Sequence, residues 1–434
     1  MDLARPSRAA RGLAAARSSA RPAARTRTDV LRRERHEPDF AILVSVVALT
    51  AIGILMVYSS SALRAYISRD DTMAIVGPQI VWAVVGLAVM LVAMRADYRL
   101  LRLASGPLYV GAIVLLILVF VPALNRVVGG SARWLVIGPL PAVHPAEIAK
   151  LALVVYLAHW LASRGNLVAG FRSGTLPFLA IAAPMLLLVF REPDLGTTAV
   201  IGLTAFTMFF VAGASLWQFG SIMASGAVGV LLVGLRGYQA ERIRTFLDPW
   251  SDPLGSGFHT IQGLLALGLG GILGSGLGES KLAGGLYLPN AWNDFIFAVI
   301  GEEFGFVGGA LVIGLFVVLA WAGVRTALRA PDTFGALLAA GITAWLCLQA
   351  FINIAVVVAL MPVTGITQPF ISAGGSSLVV SFAAAGILLS ISRETLERGE
   401  PGTDAPADRR RGDGGTHLPG PRRGSHASQP RRPA

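Results

Sequence analysis

AILVSVVALTAIGILMVYSSSA, residues 41–62, holds no charged side chain and exceeds the ~20 residues that a helix needs to cross a hydrocarbon core. Nine further stretches of this kind follow, near 76–94, 107–123, 146–163, 175–190, 195–213, 216–235, 295–324, 334–361 and 375–392. In lipid every backbone polar group needs an internal partner, so ten such stretches predict a bundle of helices. The expected fold is an all-α polytopic membrane protein with about ten transmembrane helices. The first run starts too far from Met1, and is too long, to be a cleaved signal peptide; it reads as a signal anchor.

Composition agrees. Of the 434 residues, 54% are hydrophobic and 14% are charged, against about 25% charged in an ordinary soluble protein. The net charge of +11 is unevenly placed. Residues 1–39 carry +5 and residues 393–434 carry +3, so the body is nearly neutral. Both ends are rich in Arg, Ala, Pro, Gly and Ser and lack the apolar surface to fold, so they are expected to be disordered. Residues 40–392 form the membrane domain between them.

The positive-inside rule orients it. With the N-terminus in the cytoplasm, the inward loops hold Arg95, Arg99 and Arg102, then Arg164 and Arg172, then Arg325 and Arg329. Ten spans return the C-terminus to the cytoplasm, so both Arg-rich tails share one side. Such tails are read as cytoplasmic extensions and not as a nucleic-acid-binding device. The long segment 236–294, between helices 7 and 8, then lies outside the cytoplasm. Its apolar part, Ile261–Leu277, is expected to lie on or dip into the outer leaflet. An eleventh span would put the C-terminal tail outside.

Ionisable groups at the rims of spans are costly to bury and are therefore candidate sites. In YLPNAWNDFIFAVIGEEFG, 287–305, Asp294 stands at the outer end of the eighth helix, where a helix cap and a chemical role fit equally. Glu302 and Glu303 lie two turns further in; pairing with a buried Arg or Lys is the plain reading of both and is expected for Glu303. In HPAEIAKL, 144–151, Glu147 and Lys150 share a helix face and are expected to pair, with a polar wall of a substrate cavity as the functional alternative. In REPDLGTT, 191–198, Asp194 suits a cap and Arg191 an anionic head group. In YQAERIRTFLDPW, 238–250, Arg242 and Arg244 have the charge to hold a phosphate. Gln349 and Asn353, four residues apart in the ninth span, predict interhelical hydrogen bonds. The lone Cys347 and six scattered histidines offer no disulfide and no zinc site.

Taken together these clusters resemble the SEDS family (shape, elongation, division and sporulation), which includes FtsW and RodA. The resemblance covers residues 40–392. It rests on SSSAL (59–63), Arg133–Trp134, HPAEIAKL, PDLGTT (193–198), RIRTFLDPWSDPLGSGF (242–258), GSGLGESKLAGGLYLP (274–289), DFIFAVIGEEFG (294–305) and PVTGITQPFISAGGSSL (362–378). DPWSDP and GLGESK look more like the division branch than the elongation branch. The resemblance implies a peptidoglycan glycosyltransferase that polymerises lipid II, the undecaprenyl-diphosphate-linked disaccharide pentapeptide, on the outer face of the cytoplasmic membrane. It implies a class B penicillin-binding protein and divisome proteins as partners.

The family's essential aspartate falls on Asp294, and its Glu–Lys pair on Glu147 and Lys150. Arg133, Trp134, Arg191, Asp194, Arg242, Arg244, Glu302 and Ser372 are the further substrate-side candidates. A divalent cation could share the charge of the leaving diphosphate, but no acidic cluster specifies one. The sequence departs from the family pattern at His144 and Ala146 (usually Gln and Ser), at Trp292 and Asn293 (usually His and Thr), and at Gln368 and Ala373. Three alternatives stay open: an elongation-type polymerase of the same reaction, a lipid II flippase, and a scaffold that only recruits a synthase.

Overall fold

In the computed structural model, the described residues are 32–35, 37–128, 131–136, 138, 141–234, 237–289 and 291–397. The expected disorder of 1–31 and 398–434 lies outside them. The helices are α1 (Phe40–Arg69), α2 (Val76–Arg95), α3 (Leu100–Leu118), α4 (Pro145–Arg164), α5 (Leu176–Arg191), α6 (Leu195–Val211) and α7 (Leu216–Gly234). Then come α8 (Gly237–Leu247), α9 (Phe258–Gly270), α10 (Lys281–Gly284), α11 (Ile296–Arg329), α12 (Thr333–Val357) and α13 (Gly375–Ser392).

Each of the ten apolar stretches is a helix. Among the described residues eight helical stretches are long and apolar enough to cross a membrane: α1 to α5 and α11 to α13. Helix α6, with 17 residues, is slightly shorter. Large apolar side chains such as Val81, Val92, Leu103 and Val317 point outward, which suits lipid and not water.

Two features depart from the expected all-helical body. Strands β2 (Asn125–Val128) and β3 (Ser131–Leu135) form an antiparallel hairpin between α3 and α4, with Arg126 opposite Trp134. Strands β1 (Arg32–Arg35) and β4 (Glu394–Glu397) pair with each other. Those eight residues belong to the stretches expected to be disordered, and strand pairing gives their backbone groups partners that composition alone does not reveal.

Helix α11 is broken at Gly305, whose φ of 65° and ψ of −159° interrupt the helical ladder. Four freed backbone groups find partners in the segment after α9. Ser275 and Gly276 donate to the carbonyls of Glu302 and Glu303 at 2.9 and 3.0 Å. The amides of Phe306 and Val307 donate to Gly271 and Ile272 at 2.9 and 3.2 Å. Helix α9 therefore runs beside the first turns of α11 and ends at its break. Its 13 residues span about 20 Å, too short to cross the ~30 Å core. It covers the first part of the apolar 261–277 stretch and ends at Gly270.

The break also corrects the expected pairing of Glu303 with a buried cation, and it gives Glu302 backbone partners. The Glu302 carboxylate accepts from Ser280 Oγ and from the amides of Lys281 (2.7 Å) and Leu282 (3.2 Å). Glu303 accepts from Ser59 Oγ of α1. Loop amides and a hydroxyl take the place of a cation because the 274–282 segment folds against this face of α11.

The end of α11 away from Asp294 meets the start of α1 and the end of α13. Asp39 caps α1, forms an ion pair with Arg325, and its amide donates to Ser392 Oγ at 3.1 Å. Nearby, Asp332 caps α12 through Gly335 N at 2.8 Å and accepts from Tyr98 at 2.7 Å.

The close approach of α9 to α11 gives a test. A β-carbon at Gly270 would sit 1.8 Å from the Gly301 carbonyl oxygen, whereas one at Gly268 would meet nothing within 4 Å. Gly270→Ala is expected to cost about 2 kcal/mol, and Gly268→Ala to be neutral or to stabilise by up to ~1 kcal/mol. Thermal unfolding of both variants in detergent measures the contrast.

Candidate active site

The site gathers at the end of the bundle where α4, α6 and α11 begin. Helix α4 opens with Pro145 in its first turn and His144 before it. Glu147 lies in that first turn, where the helix dipole favours an acid. Lys150, one turn on, places Nζ 2.9 Å from Glu147 Oε1 and 2.6 Å from Gln349 Oε1 of α12. Gln349 also accepts from Trp345 Nε1 at 2.9 Å and donates to the Thr367 carbonyl at 2.9 Å. The buried ammonium thus has a counter-charge and a second acceptor, and its partner reaches the 362–374 loop.

Helix α6 is capped by Asp194, which accepts from Thr197 N at 3.0 Å and Thr197 Oγ1 at 2.9 Å. Arg133, on β3, donates to the carbonyls of Glu192 (3.0 Å) and Pro193 (2.6 Å), and its guanidinium lies 4.0 Å from Asp194. His144 Nε2 is 3.9 Å from Asp194, and its ring packs edge-on against Trp134. Burial holds the imidazole below its ordinary pKa, ahead of the opposing pull of Glu147 and Asp194. The contact is therefore neutral imidazole to carboxylate.

Asp294 lies just before α11. It is not the cap, since Phe295 occupies that position and no side chain caps it. Three successive carbonyls around Asp294 are held instead. Trp292 O accepts from Ala373 N at 2.9 Å, Asn293 O from Ser372 Oγ at 2.7 Å, and Asp294 O from Asn353 Nδ2 at 2.9 Å. A β-carbon at Gly365 would lie 3.5 Å from Asp294 Oδ2, so the 362–374 loop also borders the carboxylate. Burial, reinforced by the charge of Asp194, pushes the Asp294 carboxyl up to about 6 against the pull of Arg133 and Arg242.

The fold thus brings Asp294, Asp194, Arg133 and Arg242 within electrostatic reach of one another, with Trp134, His144, Glu147 and Lys150 beside them. Arg191 ends α5 exposed, and among the described residues no hydrogen bond or ion pair ties it to the cluster. Arg244 is exposed on α8. Two substrate-side candidates are already engaged: Glu302 by the 280–282 backbone, and Ser372 by Asn293 O and the Gln368 amide at 2.8 Å. They hold the frame. Among the described residues no group of three or more His, Cys, Asp or Glu side chains is arranged to hold a metal ion.

Glu192 is the residue that sequence reasoning passed over. It is 1% exposed, and neither carboxylate oxygen has a hydrogen-bond partner. The available signal was an acid directly following an apolar span. Burial, then the charge of Asp194, pushes its carboxyl up to about 8, with Arg133 opposing.

The geometry can be set beside known proteins. The FtsW/RodA/SpoVE cell cycle protein family matches residues 40–397. The chain belongs to this family. It is 42% identical over 363 residues to stage V sporulation protein E of Bacillus subtilis, covering 83% of this chain and 98% of that protein. It is also 42% identical over 366 residues to the probable peptidoglycan glycosyltransferase FtsW of Geobacter sulfurreducens, covering 83% and 96%. Among solved structures, it resembles a chain from a study of polymerization and crosslinking by a peptidoglycan synthase complex, with TM-score 0.66, 30% identity and 82% and 98% coverage. It also resembles RodA of Thermus thermophilus, with TM-score 0.60, 28% identity and 82% and 97% coverage. As an FtsW/RodA/SpoVE protein it is a polytopic helical membrane protein, and its site lies within the matched region.

Glu192 yields a stability test with a defined sign. Its folded pKa is raised, so the folded protein keeps a proton that the unfolded chain has released. Its stabilising contribution is full below about 4.5 and is lost as pH rises to about 8. Glu192→Gln is expected to match wild type near pH 5 and to exceed it near pH 8 by on the order of 3 kcal/mol. Melting curves at the two pH values check it; an equal gap at both refutes the assignment.

Proposed function

We propose that this chain is a peptidoglycan glycosyltransferase that polymerises lipid II on the outer face of the cytoplasmic membrane, with Asp294 as its general base. The observation that carries this reading is the Asp294 carboxyl: half-buried, framed by three held carbonyls, and within the electrostatic reach of Arg133 and Arg242. A base works best with a pKa near the operating pH, and burial brings this aspartate to about 6. In the reaction the acceptor 4-hydroxyl attacks the anomeric carbon of the donor sugar. Its proton passes to Asp294, the bond from that carbon to the diphosphate oxygen breaks, and the electron pair leaves with the diphosphate. Arg133 and Arg242 supply positive charge on the side where that anion develops. Arg133 is pre-positioned for this by its grip on the carbonyls of Glu192 and Pro193.

The two ends of α11 support an outward-facing site. Its N-terminal end holds Asp294, and its C-terminal end holds Arg325, which is paired with Asp39 at the start of α1. The described ends of both tails therefore gather opposite the catalytic end. With ten spans and the tails in the cytoplasm, Asp294 faces outside, where lipid II is polymerised. A class B penicillin-binding protein is the fitting partner, because a polymer of this kind must be cross-linked. The resemblance to a chain from a peptidoglycan synthase complex supports it. The role is assigned to septal synthesis, together with divisome proteins, on the likeness to FtsW.

Purified protein, with and without a partner transpeptidase, is given labelled lipid II in detergent. Wild type is expected to form glycan polymer, and Asp294→Asn to lose at least about a hundredfold in rate. Because only the ionised carboxylate accepts the proton, the wild-type rate should fall about tenfold per unit below about pH 6. Lipid II scrambling across liposomes without any polymer would overturn the reading in favour of a flippase.

A further inference from the structure

Asn353 lies on α12, one helical turn beyond Gln349, and is 1% exposed. Its side-chain amide donates both protons, one to the Asp294 carbonyl at 2.9 Å and one to the Ile366 carbonyl at 2.8 Å. Carbonyls only accept, so chemistry fixes which way the amide faces. Its own Oδ1 is buried without a hydrogen-bond partner. An acceptor left unsatisfied costs free energy, which a residue selected only for packing would avoid. What offsets that cost is the pair of carbonyls its amide satisfies, both of which a leucine would leave unpaired. The two carbonyls also flank the carboxylate: one belongs to Asp294 itself, and the other follows Gly365, which borders Asp294 Oδ2.

We propose that Asn353 is a positioning residue for catalysis, setting the direction of the Asp294 carboxylate against the 362–374 loop. The proposal rests on Asp294 being the base. Asn353 reaches no reacting atom; it acts through the peptide of Asp294. Gln349 reinforces it one turn away by tying Lys150 to the next loop carbonyl, Thr367 O. The charged groups whose fields reach Asp294 are Asp194 at the start of α6, Arg133 on β3 and Arg242 on α8. None belongs to α12, so Asn353 works by geometry and enclosure and not by its own charge.

The test compares Asn353→Leu, which removes both donors, and Asn353→Asp, which keeps the shape with acceptors facing acceptors. Asn353→Gln serves as the conservative variant. Gly323→Ala provides a stability control, because its β-carbon would press on Thr343 Oγ1 at 2.1 Å, between α11 and α12 and away from the cluster. With lipid II as substrate, Leu and Asp are expected to lower kcat roughly ten- to hundredfold, with KM within about threefold of wild type. Gln is expected to recover part of the loss.

A loosened Asp294 meets more water, which favours its charged form. The acid limb of the rate profile should therefore move below its wild-type position in the Leu variant. In the Asp294→Asn background, Asn353→Leu should remove no further activity. Wild-type kcat in Asn353→Leu, with Asp294→Asn inactive, overturns this proposal alone. The same kcat loss and limb shift in Gly323→Ala, at equal loss of melting temperature, overturn it as well. A fully active Asp294→Asn protein overturns the base assignment and this proposal with it.

Discussion

The hydrogen bonds on the carbonyls of Trp292, Asn293 and Asp294 are the constraint on which the site depends. A short irregular stretch enters a long helix, and its backbone groups are half-buried. Left unpaired, each would carry a desolvation penalty of about 1–3 kcal/mol. Ala373, Ser372 and Asn353 meet all three carbonyls. The same bonds fix Asp294 against the 362–374 loop, so satisfying the backbone and orienting the acid are one structural task.

The other buried polar groups follow the same logic by different means. Lys150 is 3% exposed and pairs with Glu147 and Gln349. The broken ladder at Gly305 is completed by the segment after α9, and the carboxylate of Glu302 by the segment before and within α10. Glu192 is one exception, since both of its oxygens lack partners, as do both side-chain polar atoms of Gln368. Burial without a partner favours the protonated form of Glu192, while Asp194, two residues on, has hydrogen-bond donors in Thr197 and the Arg133 guanidinium 4.0 Å away.

Both FtsW and stage V sporulation protein E stand at 42% identity to this chain. Identity of that size, spread over nearly the whole of each relative, fixes the family and its membrane fold. The divergence lies partly in the frame: Trp292, Asn293 and Ala373 depart from the family's usual residues, yet they engage through main-chain atoms. Backbone-mediated bonds tolerate such exchange, because the carbonyl and amide remain whatever side chain stands there. Trp292 has a further contact of its own, with the Arg64 guanidinium 5.4 Å from its ring centre.

By itself the sequence determined the positions of the ten apolar helices, a short helix within the apolar 261–277 stretch, the Asp194 cap and the Glu147–Lys150 pair. Each depends on hydrophobic run length or on residues within one turn, which are local in the chain. It also singled out Asp294 as an acid at a helix mouth, while leaving cap and chemistry undecided. Only the tertiary structure decided that Asp294 is not a cap, that Glu302 and Glu303 meet loop atoms and not a cation, and that Ser372 belongs to the frame. It alone showed the hairpin bearing Arg133, the unpartnered burial of Glu192, and Asn353 as the link between α12 and the acid. Most of these depend on contacts between residues 20 to 244 positions apart, such as Leu282 with Glu302, Asn353 with Asp294 and Ser59 with Glu303. A buried polar group is satisfied by whatever the fold brings beside it, and no local pattern in the chain encodes that neighbour.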